Sequence, residues 1–118
     1  MSDKIKELTN KLIEYNHFLL DTYQAAREKG TSADFHTVIK PFADEVKGVC
    51  DLWSINMKTW LKNNPKKHLH TKQIDTTAEH IEQLSIQAFF PKTSRSIFLN
   101  TQRTVDFFLH EVLKELDS

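Results

Sequence analysis

Glycine and proline are scarce, two and three residues respectively in a chain of 118. Those five residues leave room for four helix-length segments. Too little glycine remains to build a phosphate-cradling loop or a Gly-x-Ser-x-Gly nucleophile turn. Without a glycine-built oxyanion turn or an identifiable base, hydrolytic catalysis has no support. A lone cysteine, Cys50, excludes an internal disulfide and, in so small a chain, favours a reducing compartment. No stretch approaches the roughly 18 apolar residues of a membrane span. The first dozen residues alternate charges with single apolar positions, unlike a signal peptide. Lysine plus arginine equals aspartate plus glutamate at 16 each, so no net field draws the chain to nucleic acid or anionic lipid.

What is abundant is apolar periodicity. The 39% hydrophobic content, with eight phenylalanines, opposes disorder. A first segment, about Asp3 to Arg27, carries Ile5, Leu8, Leu12, Tyr15, Leu19 and Tyr23 on one stripe, widened by Ile13, Phe18 and Leu20. Ser2 is a cap candidate at its start, and Gly30 suits the left-handed position that ends a helix. The second begins with a short turn near 34–39. Pro41 then belongs to a first turn or marks a kink, and a long helix follows to about Lys62. Its pattern runs through Val46, Val49, Trp53, Met57 and Trp60 until Asn63, Asn64 and Pro65 stop it. The third starts between Thr71 and Thr77; Thr76 and Glu79 have the spacing of a capping box, and Thr71 is the alternative cap for an earlier start. It ends at Phe89, Phe90 and Pro91, whose two rings are expected to cover an end of the core. The fourth, capped by Thr93 or Ser94, runs through Phe98, Thr101, Val105, Phe108, Val112 and Leu116, with Phe107, Leu109 and Leu113 broadening the face.

Four amphipathic helices with brief links predict one all-α domain over residues 1–118, an antiparallel up-and-down four-helix bundle. A coiled-coil dimer is the alternative, but the broad stripes and many aromatic residues favour an intramolecular core and a monomer.

The fourth segment, Lys92-Thr-Ser-Arg-Ser-Ile-Phe-Leu-Asn-Thr-Gln-Arg-Thr-Val-Asp-Phe-Phe-Leu-His110, resembles the closing helix of the YppE-like family, small proteins of Bacillus and its relatives. The likeness extends across nearly the whole chain, through the first segment, the Phe- and Trp-rich second segment, the His68-Leu69-His70 link and the third segment. It implies an up-and-down bundle with a left-handed twist, a bacterial origin and a cytoplasmic setting. It implies no activity and no catalytic residues.

Candidate sites are few. Asp106 and His110 lie one turn apart, and His17 and His80 can add metal ligands from other helices, as helical bundles allow. A di-iron set would need paired Glu-x-x-His elements, and only Glu14 to His17 has that spacing. His68 and His70 flank Leu69 and as an extended pair project to similar sides, but no acid or cysteine close by completes a metal set. Between Asp51 and Asp75 there is no acid, while Lys58, Lys62, Lys66, Lys67 and Lys72 offer an anion-binding patch. Trp60, Leu69, Phe89 and Phe90 are candidates for protein contact, since exposed aromatic residues concentrate interface energy. Cys50, with neither a helix start nor positive charge beside it, is a small core hydrophobe.

These features favour a non-catalytic interaction or adaptor module that binds a cytoplasmic protein and uses no cofactor. The alternative is a bundle that binds metal or a small ligand through His, Asp and Glu. Binding to nucleic acid is disfavoured for want of a recognition helix or an aromatic ladder.

Overall fold

A computed structural model describes residues 2–117, with side chains from Asp3 onward. The cap expected of Ser2 therefore lies outside the described side chains. The described residues form four α-helices: α1 Ser2–Lys29, α2 Lys40–Asn63, α3 Thr71–Gln87 and α4 Arg95–Asp117. No strand occurs among the described residues. Each helix packs on the next, and α4 closes the ring against α1. Cross-helix pairs fix the directions as antiparallel. Lys47 reaches Glu82 and Lys58 reaches Asp75 between α2 and α3. Lys6 bonds Asp117, and His17 meets Asp106, between α1 and α4. The molecule measures 46 × 27 × 20 Å. Its 7144 Å² of accessible surface exceeds the about 6,600 Å² expected for this mass, as an elongated shape requires.

The stripes become the core largely as the spacing predicts. Leu12, Leu19, Val46, Trp53, Met57, Ile81, Leu84, Phe98 and Leu109 are fully buried, and Tyr23 stacks on Phe98 with ring centroids 4.1 Å apart. Two expectations fail: Phe18 and Phe107 do not widen the core but point to solvent. On α4, Phe107 stands next to Phe108, and only Phe108 packs against the buried cluster.

Helix boundaries follow local chemistry. Gly30 ends α1 at φ +71°, a conformation that costs glycine little, and its N–H bonds Ala26 O. The turn before α2 is a π-helical one, Phe35–Ile39. Asp34 caps it, accepting from the Thr37 amide and hydroxyl at 2.8 Å each. The wide turn lies just ahead of Pro41, whose ring would otherwise press on the carbonyl four residues back. Pro41 thus sits in the first turn of α2. Helix α3 takes the earlier of its two possible starts. The cap is His70, whose N–H donates to Gln73 Oε1 at 2.8 Å; Thr71 is the first residue of the helix, and Thr76 and Glu79 lie inside it. At α4, Ser94 is the cap: its carbonyl accepts from the Phe98 amide and its hydroxyl from Ile97.

Candidate functional site

The two sides of α4 differ. Against α1 the seam is stitched by polar bonds. Asn16 Nδ2 donates to Gln102 O of α4 at 3.0 Å. At the start of α4 the preceding link is held by the Tyr23 hydroxyl, which donates to Thr93 O at 2.6 Å, and by Arg27, which donates to Pro91 O at 3.2 Å. Against α3 the seam opens. A hollow of about 490 Å³ with a mainly apolar wall lies between the helices, floored by Phe108 and bordered by the short side chains Thr76, Thr77 and Thr104. Three threonines cannot span a gap that leucines would fill. His70, His80 and Lys72 also border it, and no carboxylate does. Beside it, sharing Gln73 and Phe108, a second hollow of about 360 Å³ is bordered by His68, Glu111, Glu115 and Phe107. Phe107 is 68% exposed at this rim, the most exposed of the large apolar side chains described. A continuous groove with an aromatic rim is the shape that accepts an apolar side chain from outside.

The contact residues expected from sequence lie elsewhere. Leu69 and Phe89 are buried, Phe90 is half-buried, and Trp60 packs partly against the core with the Lys66 ammonium 5.5 Å from its ring centre. Burial removes Leu69 and Phe89 as docking anchors, although Leu69 forms part of the groove's inner wall. Large apolar groups do reach solvent at Phe107 and, on α2, at Leu52 and Ile55. Phe107 and Phe108 are adjacent on a helix and so face directions about 100° apart. That difference, legible in the spacing, separates the core residue from the exposed one.

Of the metal candidates, the fold gathers three and separates one. His17 Nε2 lies 3.2 Å from Asp106 Oδ1, and His110 Nδ1 lies 3.6 Å from the same oxygen and 2.8 Å from Asp106 O. These groups bond one another on the exposed α1–α4 surface, while His80 faces the groove on α3. Among the described residues no group of three or more His, Cys, Asp or Glu side chains is arranged to hold a metal ion. His68 and His70 also part company, bordering different hollows on either side of buried Leu69.

The lysines split as well. Lys58, Lys62 and Lys66 surround an open depression of about 320 Å³ at the end of α2. Lys58 is paired with Asp75 at 2.6 Å and Lys66 lies 3.7 Å from Glu115, so both already have acidic partners. Lys67 is exposed in the link, and Lys72 turns to the α3–α4 groove instead. Cys50 is buried, and burial pushes its thiol up to about 12, which leaves no thiolate near neutral pH. Burial also pushes up the Tyr15 phenol, which donates to Glu45 Oε2 at 2.6 Å.

A polar core element was missed in the stripes. Thr9 and Asn16 are buried at stripe positions, spaced three or four from Leu12 and Leu19. Thr9 Oγ1 accepts from Trp53 Nε1 at 3.0 Å and donates to Ile5 O at 2.7 Å. Asn16 Oδ1 is buried without a partner.

No helix among the described residues is long and apolar enough to cross a membrane. Comparison with known proteins places the architecture. The uncharacterized protein YppE of Bacillus subtilis is 25% identical over 116 residues, spanning 98% of this chain and 94% of its own. A crystal structure of that protein superposes with a TM-score of 0.94, covering 99% of this chain and 95% of the other. A Listeria innocua protein of unknown function, 22% identical, gives 0.93 with 98% and 93% covered. A Staphylococcus aureus protein, 18% identical, gives 0.89 with 97% and 96% covered. Residues 9–116 match the family described as a bacterial domain of unknown function, DUF1798, and the chain is therefore a member of that family, with a YppE-like fold.

Proposed function

We propose that this protein is a non-catalytic interaction module of the cytoplasm that docks an apolar segment of a partner protein in the α3–α4 groove. The observation that carries the reading is the groove itself, two adjoining hollows floored by Phe108 with Phe107 exposed at the rim. Exposed aromatic residues beside a pocket are the usual anchors of a protein contact. Charge selects the occupant. The larger hollow is bordered by Lys72, His70 and His80 without an acid, whereas Glu111 and Glu115 border the smaller. The segment that fits therefore places its aspartate or glutamate at the larger hollow. A non-catalytic role is supported by Cys50, the single thiol, which is buried with its ionisation suppressed.

Selection of peptides from a random display library against the untagged protein tests this. Selected peptides are expected to combine aromatic or aliphatic residues with Asp or Glu. Phe107→Ser and Lys72→Glu should each weaken their binding about tenfold or more, as expected for a rim anchor and a charge partner. Peptides that bind both variants as tightly as the parent protein would place docking on another face and overturn the reading.

A further inference from the structure

The α4 wall of the groove continues past the two hollows. Thr104, Phe108, Glu111 and Glu115 border them, and Thr101 and Ile97 lie one and two turns nearer the start of the helix. The steps from Ile97 through Thr101, Thr104, Phe108 and Glu111 to Glu115 alternate between four and three residues, so all six share one side of α4. Ile97 is 61% exposed and Phe107 68%, and they stand about 15 Å apart along the axis. Exposed apolar side chains thus mark two levels of the groove, not one.

What can lie there follows from the walls. Both are α-helices, and the interior N–H and C=O groups of an α-helix bond within the helix. An extended segment laid between them would lose water from its own backbone groups and find no partners. A helical segment satisfies its backbone internally and meets the walls with side chains alone. Thr76, Thr77, Thr101 and Thr104 are short enough for a third helix to approach closely. The charge at the larger hollow is not used up within the chain. Among the described residues no carboxylate pairs with Lys72, whereas Lys58 is paired with Asp75 and Lys66 lies near Glu115.

We propose that the occupant of the groove is an amphipathic helix of about three turns, seated between α3 and α4. Its apolar anchors, spaced three or four and seven residues apart, meet Phe107 and Phe108 at one level and Ile97 at the other. Its acid lies one turn from an anchor, and so on the same side, where it meets Lys72. This partner rests on the docking role proposed above, to which it adds a conformation, a length and Ile97 as a second anchor.

A display library of random peptides about 16 residues long supplies the probes, and the strongest binder that depends on Phe107 is synthesised. A free chain of that length is largely unfolded, so helix gained on mixing with the protein is read by circular dichroism. The mixture should show more helix than the sum of its separate parts. Proline at a mid-peptide position that tolerates alanine should weaken binding about hundredfold, since it breaks a helix. Ile97→Ser should weaken binding about tenfold and leave the protein's melting unchanged, the side chain being exposed. A Phe107-dependent peptide that gains no helix, tolerates the proline or ignores Ile97→Ser overturns this inference and leaves the docking site standing. A library with no Phe107-dependent binder overturns both. So does a dimer in sedimentation velocity that Ile97→Ser and Phe107→Ser each dissolve, because a second copy then fills the groove.

Discussion

Helix α4 meets α1 and α3 along seams of similar length, yet one is closed and the other open. Toward α1, long polar side chains and large rings fill the space. Tyr23 both stacks on Phe98 and bonds Thr93 O, while Arg27 adds a bond to the same loop. Toward α3, threonines face the gap and Phe107 turns away, so about 490 Å³ is left beside Phe108. Helical packing brings both pairs together, but the size of the side chains at the contact decides whether a surface is left for another molecule. Hydrogen bonds and ring stacking mark the first seam, and an open groove marks the second.

Substitutions can break that division. Phe98→Ala, on the closed side, removes a fully buried ring and its stacking partner's contact. It should cost about 3–5 kcal/mol in chemical denaturation, a large share of the stability of a domain this size. Tyr23→Phe keeps the stack and deletes the bond to Thr93 O, leaving that seam weaker by about 1–2 kcal/mol in the same measurement. Asn16→Leu removes two opposing contributions, the cost of a buried Oδ1 without a partner and the gain of the Nδ2 bond to Gln102 O, so the denaturation midpoint should move by less than about 1 kcal/mol of stability.

On the open side, Phe107→Ser should change stability by less than about 0.5 kcal/mol, since the ring is already in water, while removing peptide docking. A loss comparable to that of Phe98→Ala would mean that the groove is part of the core. The smallest effect lies outside both seams, at Asp34. Hydrogen bonds from Thr37 hold its carboxyl below the usual carboxylate value. A lowered folded-state value means that the cap's stabilisation is present above the unfolded value and fades as pH falls through the folded one. Melting curves between about pH 2 and pH 6 should therefore differ between the parent and Asp34→Asn only at the upper end of that range.

Much of the fold was legible because burial follows spacing. Residues such as Leu12, Leu19, Trp53, Phe98 and Leu109 could be assigned to the core from intervals of three and four alone. The early part of α2 was legible for a local reason, since Pro41 constrains the turn before it. The choice between Thr71 and Thr77 as the start of α3 was not, because both offer a hydroxyl and a nearby partner. His70 and Gln73 settled it with a backbone bond that no residue-type rule selects. Phe18 and Phe107 read as core by residue type, whereas their angle around the helix leaves them outside. Thr9 and Asn16 lie in the buried stripe, yet a polar residue type reads as surface.

The candidate sites were less legible. His17, Asp106 and His110 do meet, since antiparallel packing brings the middles of α1 and α4 together, but His80 turns to the other side of α4. The apolar bulk that marks Trp60, Leu69, Phe89 and Phe90 as contact candidates is also what buries or half-buries them.

The sequence by itself determined four amphipathic helices, their order and most of the buried stripe, because periodicity and helix breakers act over a few residues. Tertiary structure alone decided which seam of α4 closed and which stayed open, and whether a ring at the stripe's edge faced core or solvent. Those outcomes depend on side-chain volumes contributed by helices far apart in the chain, which meet only when the bundle forms.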